Sequence, residues 1–285
     1  MKPSSFCSLS TNSCWNELYG LLLSLSLYHE NANVYLLVDS LTKENIINAL
    51  NKSNNTLHLN LNWYVELDIY SNLTRDEMER KGIWTMFQLA KCDIIDHALS
   101  NESDTLFLDS DILVFDEIND INYSKDIGVS PHYIRSRDTD LYGYYNGGVL
   151  WTKNKNVTTD WREYTKKSRF FEQAAIEDLA LKYDFFSFGV NYNVSWWRMF
   201  QSNVNYKVIE QDFGYDNKLN KIVYGGQEKP LKFVHTHFSQ SYDNKNNSQT
   251  YFNKFILELL NKYKNEERNK YSKLINIIAS IRNKL

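Results

Sequence analysis

The chain has 285 residues, 42% of them hydrophobic and 24% charged, with a formal net charge of −3. That length suits one large domain or two small ones with a sizeable core. The charge balance excludes a protein drawn to nucleic acid by its overall field. Three Pro and ten Gly leave no long linker or low-complexity segment. Cys7, Cys14 and Cys92 are odd in number and match no zinc spacing, so they read as free thiols in a reducing compartment. The apolar stretch Leu18 to Tyr28 is broken by Ser24 and Ser26 and is too short for a membrane span or a signal. A cytoplasmic location is therefore expected. Asn-X-Ser/Thr triplets at Asn72 and Asn156 read as chance in an Asn-rich chain.

Phe6 to Leu9 reads as a first strand. Leu18, Leu21, Leu22, Leu25 and Tyr28 then recur at a helical period from Trp15 onward. Val34 to Val38 is β-rich and ends at Asp39; a short helix over Glu44 to Leu50 and a strand over Leu57 to Leu67 follow. Trp84 to Leu99 carries a second long helical pattern through Phe87, Ala90, Ile94, Ile95 and Ala98. The β-α-β-α order predicts a mixed, mostly parallel sheet flanked by helices. Ligands in such folds bind at the carboxyl ends of the strands. Beyond Ile127 to Ser130, the polar and aromatic segment Pro131 to Tyr145 reads as a long functional loop. Its Arg135 and Arg137 could clamp phosphate or be solvated. Helices are expected at Thr159 to Lys167 and Glu172 to Tyr183, and strands at Lys221 to Tyr224 and Lys232 to His237.

Tyr251 to Leu285 lacks Gly and Pro and reads as one or two helices extending a domain of residues 1–250. It holds eight Lys/Arg and three Glu, with a seam of Tyr271, Leu274, Ile278, Ile281 and Leu285. Such a helix can pack on the domain, or lie peripherally on an anionic membrane.

The sharpest motif is Leu106-Phe-Leu-Asp109-Ser110-Asp111-Ile-Leu-Val114. Residues i and i+2 share a strand face, with a rise of about 3.3 Å per residue. An acidic pair there is costly without a cation, and a hard divalent ion wants oxygen ligands. The stretch resembles the Asp-X-Asp motif of nucleotide-sugar-dependent glycosyltransferases with the GT-A fold, in the manner of glycosyltransferase family 8 (the glycogenin and bacterial galactosyltransferase type).

The resemblance covers roughly residues 5 to 240. It implies a Rossmann-like α/β domain in which Asp109 and Asp111 hold Mn²⁺, or Mg²⁺, against the donor's diphosphate. Asn146-Gly147-Gly148-Val-Leu resembles the segment lining donor sugar and acceptor. Glu172-Gln173 resembles an acid-amide pair contacting the donor sugar, with Glu where the family has Asp, and Glu177 and Asp178 are rival acids. In Phe233-Val-His235-Thr-His237, His235 fits the family's third metal ligand and His237 could substitute. The Gly and Lys expected downstream are replaced by Ser239, Gln240 and Lys245.

Lys91 stands near an Arg that in the family reaches the donor; the alternative is a lysine that snorkels past the helix face to water. The nucleotide base is expected over Ser8 to Asn12, with Thr11 and Asp39 nearby. Trp196 and Trp197 could stack an acceptor sugar or sit in the core. The implied reaction moves a sugar, with retention, from a UDP-linked donor to a hydroxyl of a glycan, lipid or protein. Two other readings of the acidic strand are a metal-dependent nucleotidyltransferase and a non-catalytic sugar-binding protein.

Overall fold

The computed structural model describes residues 1–52, 57–200, 210–226, 229–238 and 247–282. The chain opens with β1 (Ser5–Ser10), α1 (Trp15–Tyr28), β2 (Ala32–Val38), α2 (Ser40–Lys52) and β3 (Leu59–Val65). Next come α3 (Arg75–Arg80), α4 (Trp84–Leu99), β4 (Thr105–Leu108), β5 (Ile112–Val114) and β6 (Ile127–Pro131). α5 (Ser136–Tyr142), β7 (Tyr145–Thr152), α6 (Asn156–Thr165), α7 (Ile176–Lys182), β8 (Phe185–Ser187) and β9 (Val194–Ser195) follow. The described chain ends with β10 (Phe213–Asp216), β11 (Lys221–Tyr224), β12 (Phe233–His235), α8 (Asn247–Lys262) and α9 (Lys270–Arg282).

The main sheet has the order β3-β2-β1-β4-β7-β6-β8. β3, β2, β1 and β4 are parallel, and β7 runs against both its neighbours. The chain steps outward from β1 to β3, then returns through α4 to place β4 on the other side of β1. That reversal opens a crevice at the carboxyl ends of β1 and β4, where open α/β sheets bind ligands.

The β1 and β4 side chains alternate between two apolar layers, as a period of two requires. Phe6, Leu106 and Leu108 face the layer that contains α1, while Cys7 and Phe107 face the layer that contains α4. Both faces are buried, which explains the near-continuous apolar runs in these strands. None of the three cysteines is joined in a disulfide, and burial pushes the Cys7 thiol up to about 12.

A second, three-stranded sheet, β5-β12-β9, decides the site. β12 runs antiparallel to β5, with His235 opposite Ile112, and parallel to β9, with His235 opposite Ser195.

Two stretches depart from the sequence reading. The expected loop over Pro131 to Tyr145 contains α5, supported by an Arg135–Asp138 ion pair of 2.8 Å and ended at Gly143, where φ is +95°. The helix expected from Glu172 begins only at Ile176. Phe171 adopts φ +42°, and the preceding residues form turns, with Glu172 directed inward.

The C-terminal segment forms two helices. Tyr271, Leu274, Ile278 and Ile281 are buried in the same layer as α1; Leu285 lies outside the described residues. Gly20 on α1 permits this approach, because a Cβ there would collide with the Ile281 side chain. Leu274 is 0% exposed. Leu274→Ala is expected to cost about 2–5 kcal/mol, the usual range for such a core deletion. A lowered midpoint in urea with unchanged slope is the expected result. No helix among the described residues is long and apolar enough to cross a membrane.

Candidate metal and nucleotide-sugar site

The acidic pair caps β4 at the crevice. The Asp109 N–H donates to the Gly148 carbonyl at 2.8 Å, extending the β4–β7 ladder by one bond. Asp111 is held by its own backbone, because the Thr236 N–H (3.0 Å) and hydroxyl (3.1 Å) both donate to its carbonyl. The pairing of β5 with β12 thereby brings His235 and His237 against Asp111.

One carboxylate oxygen of Asp111, one nitrogen of His235 and one of His237 all lie within 4.8 Å of one another. His235 Nε2 is 2.7 Å from Asp111 Oδ1, and His237 Nδ1 pairs with Asp111 Oδ2. Neither ring nitrogen makes an aligned hydrogen bond, although both are buried. Three donor atoms converging without mutual hydrogen bonding fit a bound cation. An oxygen and two imidazole nitrogens suit a transition metal such as Mn²⁺ better than an all-oxygen ion such as Mg²⁺.

Burial alone would raise the Asp111 carboxyl, but the two imidazoles outweigh it and hold it well below the usual carboxylate range. Burial alone would lower His237, but Asp111, with smaller help from Glu17 and Asp109, brings it up to about 9. Glu17, 3% exposed on α1, carried no signal in the sequence beyond being an acid near a helix start.

A second cluster forms around Asp109. Lys91 is 4% exposed, so it does not snorkel to water. Its ammonium donates to Glu172 Oε1 (2.8 Å) and the Gly147 carbonyl (3.1 Å), and sits 3.3 Å from Asp109 Oδ1. Three hydrogens meet three acceptors. Burial lowers this ammonium, but Asp109 and then Glu172 more than reverse it, leaving it above the ordinary lysine value.

Of the rival acids, Glu177 is paired with Arg169 (2.6 Å) and Asp178 is exposed, whereas Glu172 is buried against Lys91 (2.8 Å). Gln173 bridges two backbones: Oε1 accepts from Gly147 N (3.2 Å) and Nε2 donates to the Tyr142 carbonyl (2.7 Å).

Gly148 lies at the junction. A Cβ there would stand 2.5 Å from Asp109 Oδ2, 2.8 Å from His235 Cε1 and 2.9 Å from Asn146 Oδ1. Gly148→Ala is expected to destabilise by about 1–3 kcal/mol, as overpacking does. It should also spread the ligands. Unchanged melting temperature and unchanged Mn²⁺ affinity would count against this geometry.

Thr11 and Asp39 stand just beyond the ends of β1 and β2. Asp39 is fully buried and accepts from Asn12 N (2.8 Å) and Thr42 N (2.6 Å), so it caps α2 and ties down the loop after β1. Ser8 lies inside β1, 1% exposed. Ser110 is half-buried between the two acids. Trp197 packs edge-on against His235 (5.0 Å between ring centres) and near His132 (5.5 Å), and Trp196 lies against it. Ser239, Gln240 and Lys245 lie outside the described residues. Sequence reading missed His132 and the role of Asn193; single polar residues at strand ends carry no periodic signal.

No family model matches the sequence, and neither does any curated protein. Among solved structures, the chain is similar to mouse xyloside xylosyltransferase 1 (TM-score 0.51, 12% identity, covering 82% of this chain and 97% of that one). It is also similar to the galactosyltransferase LgtC in complex with donor and acceptor sugar analogues (TM-score 0.51, 14% identity, 81% and 86%). A third is the apo glycosyltransferase GlyE of Streptococcus pneumoniae TIGR4 (TM-score 0.54, 13% identity, 97% and 63%), of which the chain spans less than two thirds. At such identities the likeness is one of fold. The seven-stranded sheet, the reversal between β1 and β4 and the acidic pair at the end of β4 thus belong to a chain with the GT-A fold of these glycosyltransferases.

Proposed function

We propose that the protein is a metal-dependent glycosyltransferase that moves a sugar from a UDP-linked donor to a hydroxyl on a glycan, lipid or protein. The observation that carries this reading is the convergence of Asp111, His235 and His237 at the carboxyl end of β4. In it, these three residues hold Mn²⁺ or Mg²⁺, with Asp109 beside them. The cation, when bound, acts as a Lewis acid that stabilises charge on the departing diphosphate.

The chain's own residues do the rest. Lys91 pairs with Asp109 and Glu172 and fixes both side chains in one place. Gln173 and Gly147 shape the wall behind the donor sugar, and Glu172 presents a buried carboxylate there. Thr11 and Asp39 frame the loop on which the base would rest. Retention of anomeric configuration is the expected outcome, as the resemblance to family 8 implies. Residues 251–285 are read as a C-terminal helical extension of a domain spanning 1–250.

The test is incubation with Mn²⁺ and a panel of nucleotide sugars, scored by released nucleoside diphosphate. UDP release from one or more UDP-sugars, abolished by chelator, is the expected result. Consumption of nucleoside triphosphates alone would favour nucleotidyl transfer. Donor binding without turnover would favour a sugar-binding protein. Neither binding nor turnover overturns all three.

A further inference from the structure

A buried polar chain runs away from the candidate metal ligands, and its hydrogen-bond polarity can be worked out from fixed ends. The Gly148 backbone N–H can only donate, and it lies 2.9 Å from Asn146 Oδ1. That identifies this atom as the amide oxygen. Asn146 Nδ2 therefore faces His132 Nε2, at 2.9 Å, and donates to it. His132 Nδ1 then carries the ring hydrogen and donates to the Gly143 carbonyl at 3.2 Å. Burial depresses His132 to about 4, in keeping with a neutral ring.

The other branch starts from the same oxygen. Asn193 Nδ2 donates to Asn146 Oδ1 (2.9 Å) and also lies 3.2 Å from Ser130 Oγ. Asn193 Oδ1 is thereby turned to His235 Nδ1, 3.1 Å away. An amide oxygen can only accept, so His235 Nδ1 must carry a hydrogen. Its Nε2 is left facing Asp111 Oδ1 at 2.7 Å. In the neutral ring that is a lone pair opposite a carboxylate, an arrangement that calls for a cation between them. Asn146, Asn193 and His132 are all 6% exposed or less, so water does not supply these bonds.

We propose that Asn193, oriented through Asn146 by the Gly148 N–H, is a positioning residue that fixes His235 in the Nδ1–H tautomer and so presents Nε2 to a metal ion. His132 secures the far end of Asn146. The assignment rests on the metal-site reading above only for the identity of the ligand, and the tautomer can be read without any metal. It also gives Asn146 a positioning role, since both polar atoms of its side chain are engaged within the protein. Hydrogen bonds of this kind orient metal-binding imidazoles generally, and their loss typically weakens metal binding about 10–100-fold.

The experiment uses full-length protein labelled with ¹⁵N-histidine, in alkaline buffer with chelator. Two-bond ¹⁵N–¹H correlation spectra report which ring nitrogen is protonated, and His235 is identified by the peaks lost in His235→Gln. Wild-type protein is expected to show His235 protonated at Nδ1 and bare at Nε2. Asn193→Ala is expected to release the ring to the other tautomer or a mixture. It should also weaken Mn²⁺ binding, followed by the free-ion electron paramagnetic resonance signal, by about 10–100-fold.

A wild-type His235 protonated at Nε2 with Nδ1 bare overturns the proposal. So does an Asn193→Ala protein that keeps the wild-type tautomer and the wild-type Mn²⁺ affinity. Should Asn193→Ala fail to fold, the wild-type spectrum decides. Absence of sugar transfer together with the expected tautomer would sink the glycosyltransferase reading and leave this one standing.

Discussion

Asp111→Asn is expected to leave the fold in place and to lower donor turnover by at least about 10²–10³-fold, the usual cost of removing one preorganised group that stabilises transition-state charge. The backbone reason for an intact fold is that Asp111 is anchored by its carbonyl, through Thr236, and not by its carboxylate. The carboxylate instead is the only acid in the converging trio, between two imidazoles. An amide of the same shape keeps the volume and loses the charge that draws a divalent ion. Loss of Mn²⁺ binding with an unchanged circular dichroism spectrum is the expected pair of results. Equal Mn²⁺ affinity in the variant would remove the metal assignment.

The same residue sets a pH dependence. His237 is raised to about 9, above its unfolded value of about 6.5. A group raised in this way contributes stability that is fully present below the unfolded value and is lost as pH climbs through the folded one. Metal-free protein should therefore lose this contribution between about pH 6.5 and 9. Mn²⁺ must displace the same proton, so its affinity should rise across that window. Asp111→Asn should flatten both profiles, because the carboxylate is the main group that raises His237. Melting temperatures of chelator-treated protein across that range provide the check. At the acid end the sign reverses: the depressed Asp111 carboxyl contributes stability above its unfolded value, and that is lost as pH falls through its lower folded value.

The second large effect is expected at Lys91. Lys91→Met retains much of the side-chain length and removes the ammonium that meets Glu172 at 2.8 Å and Asp109 at 3.3 Å. Glu172 has a side chain only 6% exposed, so it cannot recover its hydration. Removing one partner of a buried pair typically costs about 3–5 kcal/mol, far more than the pair adds when intact. For a chain of this size that corresponds to a melting-temperature loss on the order of 10 °C. Pairing Lys91→Met with Glu172→Gln should recover part of the loss, because the orphaned charge is then gone. A double variant no more stable than Lys91→Met would show that packing, not charge, sets the cost. Because Lys91 is raised above its ordinary value, its contribution should begin to be lost on the alkaline side only as pH rises above about 10.

Much of this architecture was legible one element at a time. The helical period of Trp15 to Tyr28 and of Trp84 to Leu99 matched the observed helices end to end. The apolar runs before Asp39 and Asp109 matched β2 and β4, because burial on both faces leaves a local mark in the residues themselves. The segment before β7 was less legible. α5 is short and polar, with no buried residues and hence no apolar stripe to announce it. The late start of α7 depended on Glu172 turning to an ammonium that stands on another helix.

An acidic pair following an apolar strand is a local pattern that the residues alone reveal, although the pair lies in the turn between β4 and β5 and not on a strand face, with Asp109 facing Lys91. What completes the site is not local. His235 meets Asp111 only because β12 pairs with β5, and Asn193 meets His235 only because β9 lies on the other side of β12. The burial of Lys91 between Asp109 and Glu172 likewise follows from how α4, β4 and the turn before α7 come together. Periodicity records which face of an element is buried. It does not record which distant strand will be its neighbour or in what register, and that register is what sets His235 against Asp111 and Asn193 against His235.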